Sequence, residues 1–320
     1  MKNVLLVVLF VIIIAVSVTI GIARKGMNKE ERTIAVIPKG TTHIFWQSVK
    51  AGAEKAGLEA GVKILWNGPE LETDREKQIQ IIEDFVVRKV SGIVLAPLDS
   101  KALIPSVEKM YEKNIPCVII DSGIETDKYV SFVATDNYMG GVIAARRMGE
   151  ILNGTGKVIV VKYVPGSDST TQRENGFIET IQKEFSGIKI VDSKYGMGTV
   201  ETALQATEDL LTRNADVDGL YACNASTAVG AMQGLQSQGR AGKIKMVGFD
   251  AEDALVGGLR SGVIDSLVVQ NPYKMGYEGV KAVIAKLDGK EVQQRIDTGV
   301  ELITVQRLTE PQIKALLDLQ

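Results

Sequence analysis

Short apolar runs rich in β-branched residues recur along this chain and alternate with longer amphipathic stretches. The runs are continuously apolar, which is typical of parallel strands buried on both faces of a sheet. One intervening stretch spans 45–60, and a second, 75–90, repeats Ile79, Ile82 and Val86 at helical spacing. Strand–helix alternation with short connections predicts βαβ units and an open parallel sheet. The predicted strands are 33–37, 62–66, 92–96, 116–120, 130–134, 157–164, 188–195, 217–223, 244–249 and 265–270.

The predicted strands form two series, each of about the length of one domain. Asp136 and Asn137 open the helix that begins the second series, so the boundary is predicted near Thr135. Because no low-complexity linker separates the halves, we expect two α/β lobes, each a doubly wound parallel sheet, that close on each other. Ligands of such sheets bind beyond the carboxyl ends of the strands. The residues that directly follow each strand are therefore the candidates for a site.

Composition excludes several classes of function. The 37 basic and 39 acidic residues leave a net charge of −2, without the basic surface that nucleic acid requires. The only histidine, His43, excludes a multi-histidine metal site, and nothing in the sequence pairs with it as a nucleophile. Cys117 and Cys223 are too few for a Cys₄ zinc site or a disulfide scaffold. With no phosphate loop or dinucleotide fingerprint, we expect no cofactor and no enzymatic activity.

The N-terminal segment is predicted to be a targeting device. Residues 3–23 carry no charge and are followed by the charged stretch 24–32. Such a segment is either a signal peptide, with small residues placed for cleavage after Ala23, or a membrane anchor. Residues 1–32 are thus predicted to be a signal peptide or membrane anchor plus a linker, with the rest of the chain outside the cytoplasmic membrane.

The loop after the first strand contains His43 and then two adjacent aromatic residues, Phe45 and Trp46. Aromatic residues make up only 5% of the chain, so two together where a loop meets a helix are noticeable. They either pack in the core or form an apolar surface on which a sugar ring stacks its C–H face. The sequence leaves both interpretations open.

Polar residues follow several later strands. Asp121 either caps a helix or lies in a surface turn, or it accepts hydrogen bonds from vicinal hydroxyls. Asp168 either shapes a turn or contacts the ligand. Asn224, Asp250 and Gln270 each stand at a strand end. Because Asn and Gln supply both donors and acceptors, this set suits a neutral hydroxylated ligand.

The chain from Thr33 to about Val305 resembles periplasmic binding proteins of the ribose-binding type, the bilobal receptors of sugar ABC transporters whose lobes the lactose-repressor family shares. The resemblance rests on several motifs together: TIAVI with FW at 45–46, GIVLAPLDSKAL at 92–103, IPCVIIDS at 115–122, ATDNYMGG at 134–141, QRENGF at 172–177, YACNASTAVGAMQGLQSQG at 221–239, VGFDAEDAL at 247–255 and VVQNPYKMGYEGV at 268–280. It implies ring stacking on the aromatic pair and hydroxyl binding by the strand-end polar residues.

The chain departs from the ribose-type pattern at three positions. His43 replaces an asparagine, and Ser122 and Thr171 each replace an arginine, although Arg173 matches a neighbouring one. Two missing arginines argue against ribose itself and leave the sugar open. The predicted ligand-binding residues are His43, Phe45, Trp46, Asp121, Ser122, Asp168, Thr171, Arg173, Asn224, Asp250 and Gln270.

The resemblance also implies the domain organisation of a type I periplasmic binding protein. The N-terminal lobe is expected to comprise 33–135 and 271–299, and the C-terminal lobe 136–270 and 300–320. The expected function is capture of a small neutral polar solute, a monosaccharide, by a monomer that delivers it to ABC permease subunits. The alternative is a subunit that presents its ligand to a membrane sensor or chemoreceptor. A transcriptional regulator would carry a DNA-binding domain where the export segment stands.

Overall fold

The computed structural model describes residues 31–317, in which the chain forms two six-stranded sheets covered by helices on both faces. The predicted α/β fold with two parallel-sheet lobes is confirmed. Residues 1–30, and with them nearly all of the predicted export segment, lie outside the described range. Between residues 31 and 317, no helix combines the length and the apolar character needed to cross a bilayer.

The first sheet has the strand order β11-β5-β4-β3-β1-β2, and every pair in it is parallel. Its strands are β1 (Thr33–Ile37), β2 (Lys63–Trp66), β3 (Gly92–Leu95), β4 (Cys117–Ile120), β5 (Ser131–Ala134) and β11 (Arg295–Asp297). The helices packed on it are α1 (Ile44–Ala60), α2 (Arg75–Val87), α3 (Ile104–Glu112) and α9 (Pro272–Leu287).

The second sheet repeats this order as β12-β10-β9-β8-β6-β7, with only β12 antiparallel to its neighbour. Its strands are β6 (Thr155–Lys162), β7 (Gly187–Tyr195), β8 (Gly219–Ala222), β9 (Lys245–Phe249), β10 (Ser266–Gln270) and β12 (Val300–Thr304). The helices around it are α4 (Asn137–Ile151), α5 (Asp168–Glu184), α6 (Val200–Arg213), α7 (Ala225–Ser237), α8 (Asp253–Ser261), a 3₁₀ helix (Val305–Thr309) and α10 (Pro311–Leu316).

Both faces of each sheet are buried, as the continuous apolar runs predict. In β1, Ile34 and Val36 pack against α1 and α9, whereas Ala35 and Ile37 pack against α2 and α3. Successive side chains of a strand point to opposite faces, so a strand between two helical layers must be apolar at every position. The short strands β11 and β12, which are largely half-buried or exposed, were not predicted.

The chain crosses between the two sheets three times. It passes from β5 into α4, from β10 into α9, and from β11 into β12. The crossovers lie side by side: the Thr135 and Thr298 hydroxyls are 3.3 Å apart, and Lys274 Nζ, at the start of α9, donates to the Asp297 carbonyl at 3.2 Å. Because the lobes could rotate about three adjacent connections without breaking either sheet, this region is the candidate hinge.

Candidate functional site

A cavity lies between the carboxyl ends of the two sets of parallel strands. In an open parallel sheet, ligands bind beyond the carboxyl ends of the strands, at the point where the strand order reverses. The carboxyl ends of the two sheets face each other across the cavity. Eight of the residues predicted from the sequence line the cavity: His43, Phe45, Trp46, Asp121, Arg173, Asn224, Asp250 and Gln270.

Asp121 and Asp250 occupy equivalent places in the two lobes. Asp121 follows β4 and Asp250 follows β9, the third strand of each sheet order. Their backbones have φ of 62° and 68°, the left-handed region that aspartate and asparagine tolerate better than most other residues. Each backbone N–H donates to the neighbouring strand, to Val133 at 3.1 Å and to Val268 at 2.8 Å. The left-handed turn therefore ends each strand on a carboxylate at the cavity wall.

In the second lobe, Asp250 is the centre of a buried polar cluster. Its Oδ2 accepts from the Ala225 backbone N–H at 3.0 Å, and its Oδ1 accepts from Gln270 Nε2 at 2.6 Å. Arg173 Nη1 lies 3.9 Å from the same carboxylate. Burial raises the pKa of Asp250 above its ordinary value, a shift that Arg173 and the donated hydrogen bonds partly offset.

Arg173 is held on several sides. It is 2% exposed, its Nε donates to Asn137 at 2.9 Å, and its guanidinium lies 3.9 Å above the Phe249 ring. Helices α4 and α5 approach so closely that a Cβ added to Gly141 would lie 2.1 Å from the Arg173 carbonyl oxygen. The arginine at the cavity wall is therefore positioned by helix packing as well as by hydrogen bonds.

Gln270 leaves an acceptor without a protein partner. Its side chain is 2% exposed, and its Oε1 makes no hydrogen bond with any residue from 31 to 317. A buried amide oxygen without a donor costs about 1–3 kcal/mol. Because Gln270 lines the cavity, a hydroxyl group of a bound ligand would satisfy it.

The first lobe contributes a buried ion pair that also reaches the second lobe. Lys39 Nζ lies 2.8 Å from Asp121 Oδ2 and donates to the hydroxyls of Ser169 at 3.1 Å and Ser167 at 3.4 Å. The lysine is only 3% exposed. Its charge is therefore compensated inside the protein and is not free to recruit an anion.

The aromatic pair lies where the core of the first lobe meets the cavity. Trp46, in the first turn of α1, is 2% exposed and packs in the core of the first lobe, and it also lines the cavity. Phe45 meets it edge to face, with ring centroids 4.9 Å apart. The Trp46 indole N–H donates to Glu72 Oε1 at 2.6 Å.

Three predicted residues, Ser122, Asp168 and Thr171, do not line the cavity. Ser122 accepts from the Ser169 backbone N–H at 3.0 Å, and Asp168 accepts from the Gly123 N–H at 3.1 Å. Both contacts join the two lobes. Thr171 donates to the carbonyl of Ser167, the residue that precedes α5, at 2.8 Å. Each of these side chains uses its polar atoms within the protein.

Asn224 and His43 line the cavity but also have protein partners. Asn224 caps α7, where its Oδ1 accepts from the Thr227 backbone N–H at 3.2 Å. His43 Nδ1 lies 4.0 Å from Glu252 Oε1 of the second lobe. Within the described range Glu252 Oε1 has no hydrogen-bond donor, and burial raises the pKa of this carboxyl.

Several residues that line the cavity were not predicted from the sequence: Lys39, Glu72, Tyr163, Ser169, Thr170, Ala225 and Ser226. Lys39 and Tyr163 stand just beyond β1 and β6, so the rule of strand carboxyl ends applied to them as well. Glu72 comes from the middle of a loop, where no sequence signal distinguishes it from neighbouring acidic residues.

The charges on the cavity wall favour an uncharged ligand. Three carboxylates, those of Glu72, Asp121 and Asp250, face two basic groups, so the wall is formally negative by one unit. Both basic groups, Lys39 and Arg173, have a carboxylate within 4 Å. An anionic ligand would find no uncompensated cation, whereas a polyol finds carboxylate and amide oxygens as acceptors.

Comparison with known proteins gives consistent results. A family profile described as a periplasmic binding protein domain matches residues 34–291. The ribose import binding protein of Bacillus subtilis (strain 168) is 28% identical, over 87% of this chain and 88% of its own length. The D-allose-binding periplasmic protein of Escherichia coli (strain K12) is 30% identical, over 81% of this chain and 86% of its own.

Solved structures show the same similarity. A carbohydrate transporter solute binding protein from Agrobacterium radiobacter, in complex with D-arabinose, has a TM-score of 0.88 and 38% identity, covering 91% of this chain and 100% of its own. An ABC transporter solute binding protein from Agrobacterium vitis with bound D-fucose has a TM-score of 0.85 and 38% identity, covering 88% and 98%.

Proposed function

This chain belongs to the family of periplasmic binding proteins, and from that membership and the cavity we propose that it captures a neutral monosaccharide between its lobes and delivers it to an ABC permease. The observation that carries the proposal is the set of buried acceptors on the wall. Asp121, Asp250 and the unpartnered Gln270 Oε1 are suited to the hydroxyl groups of a sugar. Phe45 and Trp46 supply an apolar surface for the C–H face of its ring.

We propose that the site comprises the eight predicted residues that line the cavity, together with Lys39. The moving units would be 33–135 with 271–299 and 136–270 with 300–320, because the chain crosses between the sheets at these points. Rotation about the three crossovers would open the cavity for entry and release. Binding and release need no covalent step, so no enzymatic role is proposed.

We further propose that the protein acts as a monomer outside the cytoplasmic membrane. The relatives that it matches include a protein described as periplasmic, and the matched Agrobacterium vitis protein is described as part of an ABC transporter. Residues 1–32 would serve as the export segment, cleaved or retained as an anchor. Sequencing the N-terminus of the mature protein separates these two outcomes, because cleavage would make the chain begin at Arg24.

The experiment that tests the proposed function is calorimetric titration with D-ribose, D-allose, D-arabinose, D-fucose and D-tagatose, with D-glucuronate as a charged comparison. We expect at least one neutral sugar to bind and to raise the melting temperature, since a ligand present at 100 times its Kd stabilises the folded state by about 2.7 kcal/mol. Gln270→Ala should weaken this binding, whereas Gln236→Ala, at an exposed position of α7, should not. Binding of glucuronate alone would contradict the proposal.

A further inference from the structure

The cavity wall contains a carboxylate that bonds to both lobes. Glu72 accepts the Trp46 indole N–H on Oε1 at 2.6 Å and the Tyr163 hydroxyl on Oε2 at 2.5 Å. Trp46 belongs to the first lobe and Tyr163 follows β6 of the second. Both carboxylate oxygens of Glu72 thus have a donor from the protein, one on each side of the cleft.

The loop that carries Glu72 contacts the loop that follows β1. The hydroxyls of Thr41 and Thr42 donate to the carbonyls of Pro69 at 3.3 Å and Glu70 at 3.4 Å. Gly40 allows this approach, because a Cβ there would lie 2.7 Å from Glu72 Cγ. The carboxylate therefore occupies a defined position rather than the end of a freely rotating side chain.

Tyr163 is equally constrained in the second lobe. It is 2% exposed, its carbonyl accepts from the Met197 backbone N–H at 3.0 Å, and its backbone N–H donates to the buried Glu174 at 3.3 Å. Burial, followed by the charge of Glu72, raises the pKa of Tyr163 well above its ordinary value, so the phenol stays protonated and donates.

We propose that Glu72 is a positioning residue that holds the Trp46 ring in the cavity wall and joins it to the second lobe through Tyr163. The bond forms only when the lobes are closed. Its contribution therefore raises the fraction of closed protein and multiplies the affinity for every ligand by a common factor, without favouring one sugar over another. This inference rests on the proposed function only where ligand binding is measured.

The first measurement uses ligand-free protein. Trp66→Phe leaves Trp46 as the only tryptophan, and Tyr163→Phe is then added to remove the bond between the lobes. We expect the emission of Trp46 to move to longer wavelength and solution X-ray scattering to show a larger radius of gyration. The matched control is Tyr221→Phe: this buried second-lobe hydroxyl has no partner among residues 31–317, and its ring stacks on Phe177.

The second measurement is calorimetry with D-arabinose and D-fucose. A hydrogen bond to a charged group that forms only on closure should cost both sugars roughly tenfold in affinity when it is removed, with their ratio unchanged. Glu72→Gln keeps an acceptor oxygen for Trp46 and a polar group for Tyr163, so it should stay closer to the parent than Glu72→Ala does.

Two results overturn the inference. Emission and scattering of the Tyr163→Phe protein that match those of the Tyr221→Phe control would show that the bond does not hold the closed state. A loss of affinity confined to one sugar would show that Tyr163 and Glu72 contact the ligand instead. If neither sugar binds the parent, the proposed function is called into question while the ligand-free measurement still decides on Glu72.

Discussion

Replacing Asp250 by asparagine should abolish most ligand binding while leaving the protein folded. The Asp250 side chain is 10% exposed, and it accepts from Ala225 and Gln270 while facing Arg173. An asparagine keeps one oxygen for the Ala225 N–H. Its amide group would face Gln270, which can rotate to offer its unpartnered Oε1. The hydrogen bonds of Ala225 and Gln270 are then kept, although Arg173 loses the negative charge that it faces, and the cavity loses both a carboxylate and the free amide oxygen.

The magnitude follows from the acceptors that are lost. A hydrogen bond to a charged group contributes about 1.5–3 kcal/mol, so the affinity should fall about ten- to a hundredfold. Asparagine also tolerates the φ of 68° at this position, whereas alanine in the left-handed region costs about 1–2 kcal/mol. Asp250→Ala would leave two donors unpaired as well, at about 1–3 kcal/mol each. The asparagine variant is therefore the informative one.

The assay is calorimetry with a sugar that binds the parent, together with a melting curve for each variant. Asp127→Asn is the matched control, since that carboxylate is 85% exposed and does not line the cavity. Unchanged affinity in the Asp250→Asn protein would refute the assignment of this carboxylate to the ligand. Loss of cooperative melting would show that it is structural instead.

Three further outcomes follow from contacts elsewhere in the lobes. Gly123→Ala should weaken binding of any sugar without lowering the melting temperature, because the new Cβ would lie 2.6 Å from Asp168 Oδ2 and disturb a bond between the lobes; calorimetry beside melting curves checks this. The Glu174→Gln protein should have a higher melting temperature than the parent at pH 7, and the difference should vanish near pH 4. Burial raises the pKa of Glu174, so the folded state binds this proton more tightly than the unfolded state does. The parent therefore loses stability as the pH rises through that pKa, whereas the glutamine variant does not. A melting temperature that is equally raised at both values would contradict this reasoning. Cys117 and Cys223 are both free and buried, and burial raises the pKa of the Cys117 thiol to about 12, so Ellman's reagent should detect no thiol in the native protein and two per chain after unfolding.

The α/β architecture could be predicted because the apolar run of each buried strand can be recognised from a few adjacent residues. A strand covered by helices on both faces must be apolar at each position, and a run of five such residues shows this without reference to the rest of the chain. The ten predicted strands were all found, and the rule that ligands bind at strand carboxyl ends led to Asp121, Asp250 and Gln270. The left-handed turn at both aspartates was not visible, since aspartate is common in ordinary turns as well.

What only the tertiary structure decided is which polar residue faces the cavity and which faces the other lobe. Ser122 stands beside Asp121 in the chain, yet its hydroxyl bonds to Ser169, 47 residues away. Glu72 likewise accepts a hydrogen bond from Tyr163, which lies 91 residues later. The hydropathy of a strand shows whether helices cover both of its faces. A hydrogen-bond partner in the other lobe depends instead on how the two sheets are placed against each other. No pattern within either segment encodes that placement.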